Sequence, residues 1–144
     1  MNKLNANRKQ IVLKNKVNTA TAIAYTNPVK LNRILNNLIL NAIKFTPSSG
    51  FIELDLTEND THNIISIADT GIGIKMVPQK KHVNLATMQS YFATEQEGSW
   101  GLGLQICQDL ASEIKAEISF KSQINIGTTF YVKFKKTMSC DEIM

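Results

Sequence analysis

Apolar residues between positions 28 and 46 recur at helical spacing, and a start signal precedes them. Asn27 and Pro28 predict the start of a helix, because an asparagine side chain can cap free N–H groups and proline at the first helical position loses no hydrogen bond. The apolar positions on one helical face are Leu31, Ile34, Leu35, Leu38 and Ala42. We expect the helix to end near Thr46, since the residue before a proline avoids helical geometry. Residues 48–50 then form a turn.

Alternation of apolar and polar residues predicts strands in six segments. These are residues 10–13, 17–25, 51–56, 63–68, 117–121 and 128–134. The first two are expected at a sheet edge. A polar turn at residues 58–61 separates the third segment from the fourth, so we expect these two to form a hairpin.

A second helix is predicted after a long polar stretch. Its apolar residues step by four and are Leu102, Ile106, Leu110 and Ile114. Between Lys75 and Trp100 no regular pattern persists, and unpatterned segments of this length are usually functional or disordered. We therefore predict a mobile lid over about residues 75–100.

This order of elements predicts an α+β fold. It corresponds to a two-layer sandwich in which helices cover one face of a mixed, mostly antiparallel sheet. A chain of 144 residues fits one domain, and neither a repeat nor a linker divides it. We expect a single domain over residues 1–144, with its core at about 10–135.

Composition narrows the class of protein. The apolar fraction of 43% and the charged fraction of 19% are ordinary for a soluble globular protein. No apolar run approaches the roughly 20 residues of a membrane-spanning helix, and the amino terminus lacks the features of a signal peptide. The net charge of +4 is spread along the chain without interleaved aromatic residues, so we expect no nucleic-acid binding. The expected location is the cytoplasm, without membrane insertion by this chain.

The two cysteines do not have the spacing of metal ligands. Cys107 lies within the apolar pattern of the second helix, where a small buried thiol is common. We expect structural or incidental roles for Cys107 and Cys140.

Three polar residues form a stripe beside the apolar face of the first helix. Asn37, Asn41 and Lys44 stand at positions i, i+4 and i+7 and therefore share one face. A solvated polar face would have the same spacing. Asparagine, however, is a mediocre helix former, whereas its amide oxygen can coordinate Mg²⁺ and its amide nitrogen can reach a phosphate.

Two glycine motifs add candidate binding sites. Asp69, Gly71 and Gly73 follow directly on a predicted strand, where the glycines permit a tight turn and the carboxylate can accept a hydrogen bond from a ligand amino group. Gly101 and Gly103 open the second helix, whose free N–H groups can hold phosphate. A plain turn is the alternative reading of the first motif, and tight packing or lid flexibility is the alternative reading of the second.

Taken in order, these motifs resemble those of the GHKL family of ATP-binding domains. Their residues are most similar to those of the histidine-kinase branch of this family. Residues 37–47 resemble the asparagine box, residues 69–74 the first glycine box and residues 101–104 the second. Residues 126–130 resemble the strand that closes the domain. The resemblance covers about residues 10–135, and it implies an α/β sandwich that binds ATP and Mg²⁺ between the helix layer and a lid.

The resemblance implies that four residues of the asparagine box bind ATP and that three of them, Asn37, Asn41 and Lys44, are catalytic. Asn41 is expected to coordinate Mg²⁺, Lys44 to contact the phosphates and Phe45 to pack on the adenine. Asn37 stands where the ATP-hydrolysing gyrase, Hsp90 and MutL types carry a glutamate as general base. An amide cannot take a proton from water, so steady hydrolysis is disfavoured and phosphoryl transfer is favoured.

The glycine boxes receive the remaining assignments. Asp69 is expected to receive the adenine amino group, Gly71 and Gly73 to let the backbone approach the base, and Ile74 to complete the box. Thr128 is expected under the adenine pocket. The second box is expected to form the hinge on the phosphate side and consists of Gly101, Leu102, Gly103 and Leu104.

Two departures from the family pattern keep other functions open. Trp100 replaces a threonine that is usual in related kinases, and the phenylalanine box of the lid is indistinct. A regulatory nucleotide-binding module that has lost catalysis is therefore the alternative function, and a slow ATPase is a weaker one.

The sequence contains two histidines, His62 in the predicted hairpin turn and His82 in the lid, and neither follows a dimerising helical hairpin. The phosphoacceptor histidine and the dimerisation domain are therefore expected outside this chain. A response-regulator receiver domain is the expected partner downstream. The chain itself would be the catalytic domain of a two-component sensor kinase, either cytoplasmic or the cytoplasmic part of a membrane-anchored sensor.

Overall fold

The computed structural model describes residues 9–15, 27–75, 77–87 and 101–136. Within these ranges the chain forms two long helices and six strands. In chain order they are β1 (Val12–Asn15), α1 (Pro28–Phe45), β2 (Phe51–Glu58), β3 (His62–Asp69), β4 (Val83–Asn84), α2 (Gly101–Glu113), β5 (Glu117–Gln123) and β6 (Gly127–Lys135). In the part of the chain described here, no helix has the length and apolar character to cross a bilayer.

All six strands form one sheet in the order β1-β2-β3-β6-β5-β4. β1 pairs with β2 in parallel, and every other neighbouring pair is antiparallel. The predicted hairpin is confirmed, because β2 and β3 pair from Ile52 with Asp69 to Glu58 with Asn63. The predicted α+β class and the mixed, mostly antiparallel sheet are confirmed as well.

The helices lie on one face of the sheet, and the core lies between the two layers. Inward-facing residues alternate along the strands as the sequence predicts, with Ile65 and Ile67 on β3 and Phe130 and Val132 on β6 almost fully buried. The opposite face of the sheet carries the half-buried residues of the same strands. The sandwich therefore has two layers.

Helix α1 begins and ends where its sequence signals predict. The side chain of Asn27 accepts hydrogen bonds from the backbone N–H groups of Val29 and Lys30 at 3.0 and 3.1 Å, and Pro28 occupies the first turn. Thr46 already has extended geometry and is followed by the turn at residues 48–50. The cap and the proline thus place the polar stripe on the final three turns of α1.

The predicted second helix is confirmed, but its most buried residues differ from the apolar residues that step by four. Its buried residues are Leu104, Cys107, Leu110 and Ala111, whereas Ile106 is only partly buried and Ile114 lies beyond the helix. A step of four residues advances by about 40° per step around a helix with 3.6 residues per turn, so four such residues fan out around the axis. The buried set follows the true period more closely.

The amino-terminal strand and the lid also differ from the sequence expectation. The first strand runs from Val12 to Asn15 and not from Gln10, because Gln10 has a φ of 59°. Within the predicted lid, Val83 and Asn84 pair with β5, and Leu85 is fully buried. This part of the segment therefore belongs to the sheet and the core. The predicted strand at 17–25 and the rest of the lid, residues 88–100, lie outside the described residues.

Candidate functional site

Asn41 is the most informative residue of the polar stripe. It lies on the buried side of α1 with an exposed fraction of 9%, and its amide nitrogen Nδ2 has no hydrogen-bond partner among the described residues. Both terminal atoms of this amide lie 3.8 Å from the point where a side chain at Gly103 would begin. Because a buried amide without a partner is costly, this arrangement is typical of a group that a ligand completes.

Asn37, one turn earlier, contacts the second helix. Burial raises the pKa of the Cys107 thiol to about 12, and a hydrogen bond from the side chain of Asn37 acts in the opposite direction. The thiol also donates to the carbonyl of Ile34 over 3.7 Å. Cys107 is thus a buried, protonated thiol, as the sequence predicts, and Asn37 joins α1 to α2 beside Asn41.

The last residues of α1 combine a charge with an aromatic surface. Lys44 is exposed, and its ammonium group lies 5.8 Å from the centre of the Phe45 ring. Phe45 is half-buried, and its carbonyl accepts a hydrogen bond from the backbone N–H of Ile72 at 3.2 Å. The carboxyl end of α1 therefore rests directly on the first glycine motif.

Asp69 lies at the end of β3 with its carboxylate held by the backbone. Oδ1 accepts hydrogen bonds from the N–H groups of Gly71 at 2.8 Å and Thr128 at 3.2 Å. Burial raises the pKa of this carboxyl above its usual value, and the two N–H groups act in the opposite direction. No hydrogen bond to Oδ2 is present among the described residues, so this oxygen is available to a ligand donor.

The hydroxyl groups of Ser122 and Thr128 form a pair that supports the Asp69 loop. Thr128 was predicted from the sequence, whereas Ser122 was not. Ser122 accepts a hydrogen bond from the N–H of Ile74 at 2.7 Å, and its hydroxyl lies 2.9 Å from that of Thr128. Both hydroxyl residues are at least 96% buried. The available signal was a serine at an inward position of β5, two residues after the buried Phe120.

The structure gives Gly71 and Gly73 a reason that the sequence did not reveal. A side chain at Gly71 would begin 2.4 Å from the carbonyl oxygen of Phe45, and one at Gly73 would begin 2.4 Å from that of Gln123. Gly73 also has a φ of 76°, which disfavours other residues. Both glycines therefore allow the loop to pack between α1 and the β5–β6 turn, which in turn sets the position of Asp69.

The open space beside these residues is a cleft of about 340 Å³. Its lining includes Asp69, Ser122 and Thr128 together with two cations, Lys80 and Lys121, but none of the candidate site residues of α1 or α2. A larger groove of about 500 Å³ lies on the face of the sheet that points away from the helices, and none of the predicted site residues line it. Size alone therefore does not mark the candidate site.

The second glycine motif is described in part. Gly101 to Leu104 form the first turn of α2, as predicted, but the side chain of Leu102 lies outside the described residues, as does Trp100. Leu104 is 1% exposed and packs in the core. Gly103 faces Asn41.

A divalent cation fits this site only together with an anionic ligand. No group of three or more His, Cys, Asp or Glu side chains that could hold a metal ion occurs among the described residues. The amide of Asn41 offers one hard oxygen ligand, of the kind that Mg²⁺ accepts when phosphate oxygens and water supply the others. The donor set is thus compatible with Mg²⁺ bound through a nucleotide.

Comparison with known proteins identifies the family of this chain. A family model described as histidine kinase-, DNA gyrase B- and HSP90-like ATPase matches residues 26–138. The autoinducer 2 sensor kinase/phosphatase LuxQ of Vibrio vulnificus is 39% identical over 114 residues, which are 75% of this chain and 13% of LuxQ. The histidine protein kinase SaeS of Staphylococcus aureus is 37% identical over 108 residues, which are 74% of this chain and 31% of SaeS.

Solved structures share the fold. Full-length ShkA in complex with AMPPNP superposes with a TM-score of 0.72 and 24% identity, over 96% of this chain and 29% of ShkA. The chain spans less than a third of the length of LuxQ or SaeS.

Proposed function

Because this chain belongs to the family of histidine kinase-, DNA gyrase B- and HSP90-like ATPases, we propose that it is the ATP-binding catalytic domain of a sensor histidine kinase. It transfers the γ-phosphoryl group of ATP to a histidine outside this segment. The proposal is carried by the buried amide nitrogen of Asn41, which lies opposite Gly103 and has no hydrogen-bond partner among the described residues. Phosphoryl transfer relies mainly on positioning and on neutralising charge, and both are tasks for the residues around that amide.

Asp69 is the proposed receptor for the adenine amino group. Its Oδ1 is occupied by two backbone N–H groups, so the carboxylate cannot rotate freely and Oδ2 has a defined direction. A hydrogen bond to a charged acceptor contributes more than one between neutral groups. Phe45 provides apolar surface for the base, and the hydroxyl pair of Ser122 and Thr128 forms the floor of the pocket.

The phosphates are proposed to lie between Asn41, Lys44 and the start of α2. Lys44 is exposed and offers a cation, and the first turn of α2 offers backbone N–H groups where the helix dipole is positive. Mg²⁺, when bound, neutralises charge on the phosphates. Asn41 is its proposed protein ligand, and Gly101 to Leu104 form the hinge beside it.

Asn37 favours transfer over hydrolysis. It stands one turn before Asn41, and its side chain is engaged with Cys107. Because an amide is not a base at neutral pH, this residue cannot activate a water molecule. An acceptor imidazole needs no such activation, since its own nitrogen is the nucleophile.

The two histidines of the chain are poorly placed to accept the phosphoryl group. His62 opens β3 at the end opposite Asp69, about 24 Å away for eight residues of extended strand. His82 lies on the open face of the sheet, where its ring is 5.0 Å from that of Tyr131. We therefore propose a separate phosphoacceptor and dimerisation domain as the immediate partner, and a response-regulator receiver domain as the next one.

Nucleotide titration followed by a transfer assay tests this proposal. Calorimetry with a non-hydrolysable ATP analogue should give binding that strengthens when Mg²⁺ is added, and radiolabelled ATP should label a separately produced phosphoacceptor domain of the same protein. An absence of binding up to millimolar nucleotide would contradict the proposal. Binding without transfer would instead identify a regulatory module, and rapid release of inorganic phosphate would identify an ATPase.

A further inference from the structure

The carboxyl end of α1 is closed by donors from three different segments. The last four carbonyl groups of any α-helix lack partners within the helix. Here each of the four carbonyl groups accepts at least one hydrogen bond. Thr46 donates to Ala42 and Ile43, Lys9 donates to Ile43 and Lys44, and Ile72 donates to Phe45. Two of these donors lie within or next to the predicted site motifs, whereas Lys9 does not.

Lys9 comes from the segment before β1, more than 30 residues away from its acceptors in sequence. Its ammonium group donates to the carbonyl oxygen of Ile43 at 2.9 Å and to that of Lys44 at 2.8 Å. The same segment is anchored to the corner after α1, because the carbonyl of Gln10 accepts from Ser49 and the N–H of Val12 donates to Gly50. The Lys9 contact therefore belongs to an ordered junction and not to a lone surface side chain.

The ammonium group of Lys9 lies at the negative end of the α1 helix dipole. Anions are usually held at helix amino termini, but Lys44 and Phe45 lie at a carboxyl terminus, which carries about half a negative elementary charge. Phosphates placed beside Lys44 would be repelled by that end of α1. An ammonium group in contact with its final carbonyls offsets this repulsion and holds the last turn in place.

We propose that Lys9 is a positioning residue of the nucleotide site, which it serves by capping α1 and neutralising the carboxyl end on which Lys44 and Phe45 lie. This inference rests on the proposed binding of ATP to this site. It links the chain segment before β1 to the phosphate side of the pocket. The effect of Lys9 should therefore depend on the charge of the ligand.

The test compares Lys9→Met, which keeps the length of the side chain but removes its charge and its donors, with Lys9→Arg and with Lys14→Met. Lys14 is an exposed lysine on β1 and serves as the control for loss of one positive charge. In the full chain, Lys9→Met should weaken ATP binding about three- to tenfold and change adenosine binding, followed by NMR, by less than about twofold. Lys9→Arg should restore most of the ATP affinity, and Lys14→Met should leave it unchanged.

Amide hydrogen exchange on the nucleotide-free chain provides the second measurement. Lys9→Met should accelerate exchange at residues 44–46 relative to Lys14→Met, because the last turn of α1 loses its cap. Equal losses of ATP and adenosine affinity, or unchanged exchange at these residues, would overturn the inference while leaving the proposed function intact. A wild-type chain that binds neither ligand would overturn both.

Discussion

Replacing Asp69 by asparagine should separate nucleotide binding from folding. Asparagine keeps an oxygen that can accept from Gly71 and Thr128 at 2.8 and 3.2 Å, so the loop should hold its shape. Its amide nitrogen, however, presents a donor where Oδ2 would receive the adenine amino group. A hydrogen bond to a charged acceptor is worth about 1.5–3 kcal/mol. The expected loss of ATP affinity is therefore about 10- to 150-fold.

The stability of the Asp69→Asn variant should equal or exceed that of wild type, and this direction follows from the pKa of Asp69. Burial raises this pKa, so the folded chain holds its proton more tightly than the unfolded chain does. The raised pKa contributes nothing to stability well below 3.8 and an increasing destabilisation as the pH rises through the pKa of the folded state. Asp69→Asn removes this penalty, so at pH 7 the variant should unfold at a temperature equal to or higher than wild type.

Calorimetric titration with an ATP analogue and thermal unfolding by circular dichroism measure the two effects. Asp60→Asn is the matched control, because Asp60 is an exposed residue in the β2–β3 turn at the opposite end of the sheet. The control should change neither quantity. Unchanged ATP affinity in Asp69→Asn would refute the placement of the adenine. A large loss of stability would show instead that the carboxylate serves the fold.

Four further outcomes follow from the same geometry. Gly73→Ala should lower the free energy of unfolding by more than about 1 kcal/mol in urea titrations, because Gly73 has a φ of 76° and an added Cβ would lie 2.4 Å from the carbonyl oxygen of Gln123. Gly103→Ala should instead fold normally and weaken Mg²⁺-dependent ATP binding. Wild-type stability in Gly73→Ala would contradict the packing argument. Asn41→Leu should keep or slightly raise the unfolding temperature, since it removes a buried amide nitrogen that has no partner among the described residues. The same variant should abolish the effect of Mg²⁺ on nucleotide titrations. A Mg²⁺ effect that survives the substitution would show that Asn41 is not the metal ligand. In a Cys140→Ser background, Cys107 should resist thiol reagents at pH 8 and react only after unfolding in urea, because burial raises its pKa to about 12; rapid labelling of the folded chain would show that α2 opens.

Much of the architecture could be predicted because it depends on local signals. Asn27 and Pro28 mark the start of α1, the residue before Pro47 marks its end, and alternation marks both strands of the β2–β3 hairpin. Each of these signals acts within a few residues, where backbone sterics and hydrogen bonding decide the conformation. The fold class follows from the order of such elements.

The face of α2 and the path of the lid were harder to predict, since both depend on packing against distant residues. A step of four along α2 indicated a helix but left out Cys107 and Ala111, because the sheet and α1 determine which residues are fully buried. Val83 and Asn84 form a strand only because β5 offers its free edge to them. Short strands of this kind have too few residues for a pattern of their own.

By itself, the sequence determined the two-layer class, the boundaries of α1 and the positions of the candidate binding motifs, because capping, alternation and glycine spacing are local properties. Only the tertiary structure decided which motif residues pack within the fold and which leave polar atoms without a partner among the described residues. It placed Asn41 opposite Gly103, packed Gly71 and Gly73 against distant carbonyl oxygens, and brought Ser122 to the Asp69 loop and Lys9 to the end of α1. The reason is that a hydrogen-bond partner far away in the chain leaves no trace in the local pattern, whereas the folded backbone brings it within 3 Å.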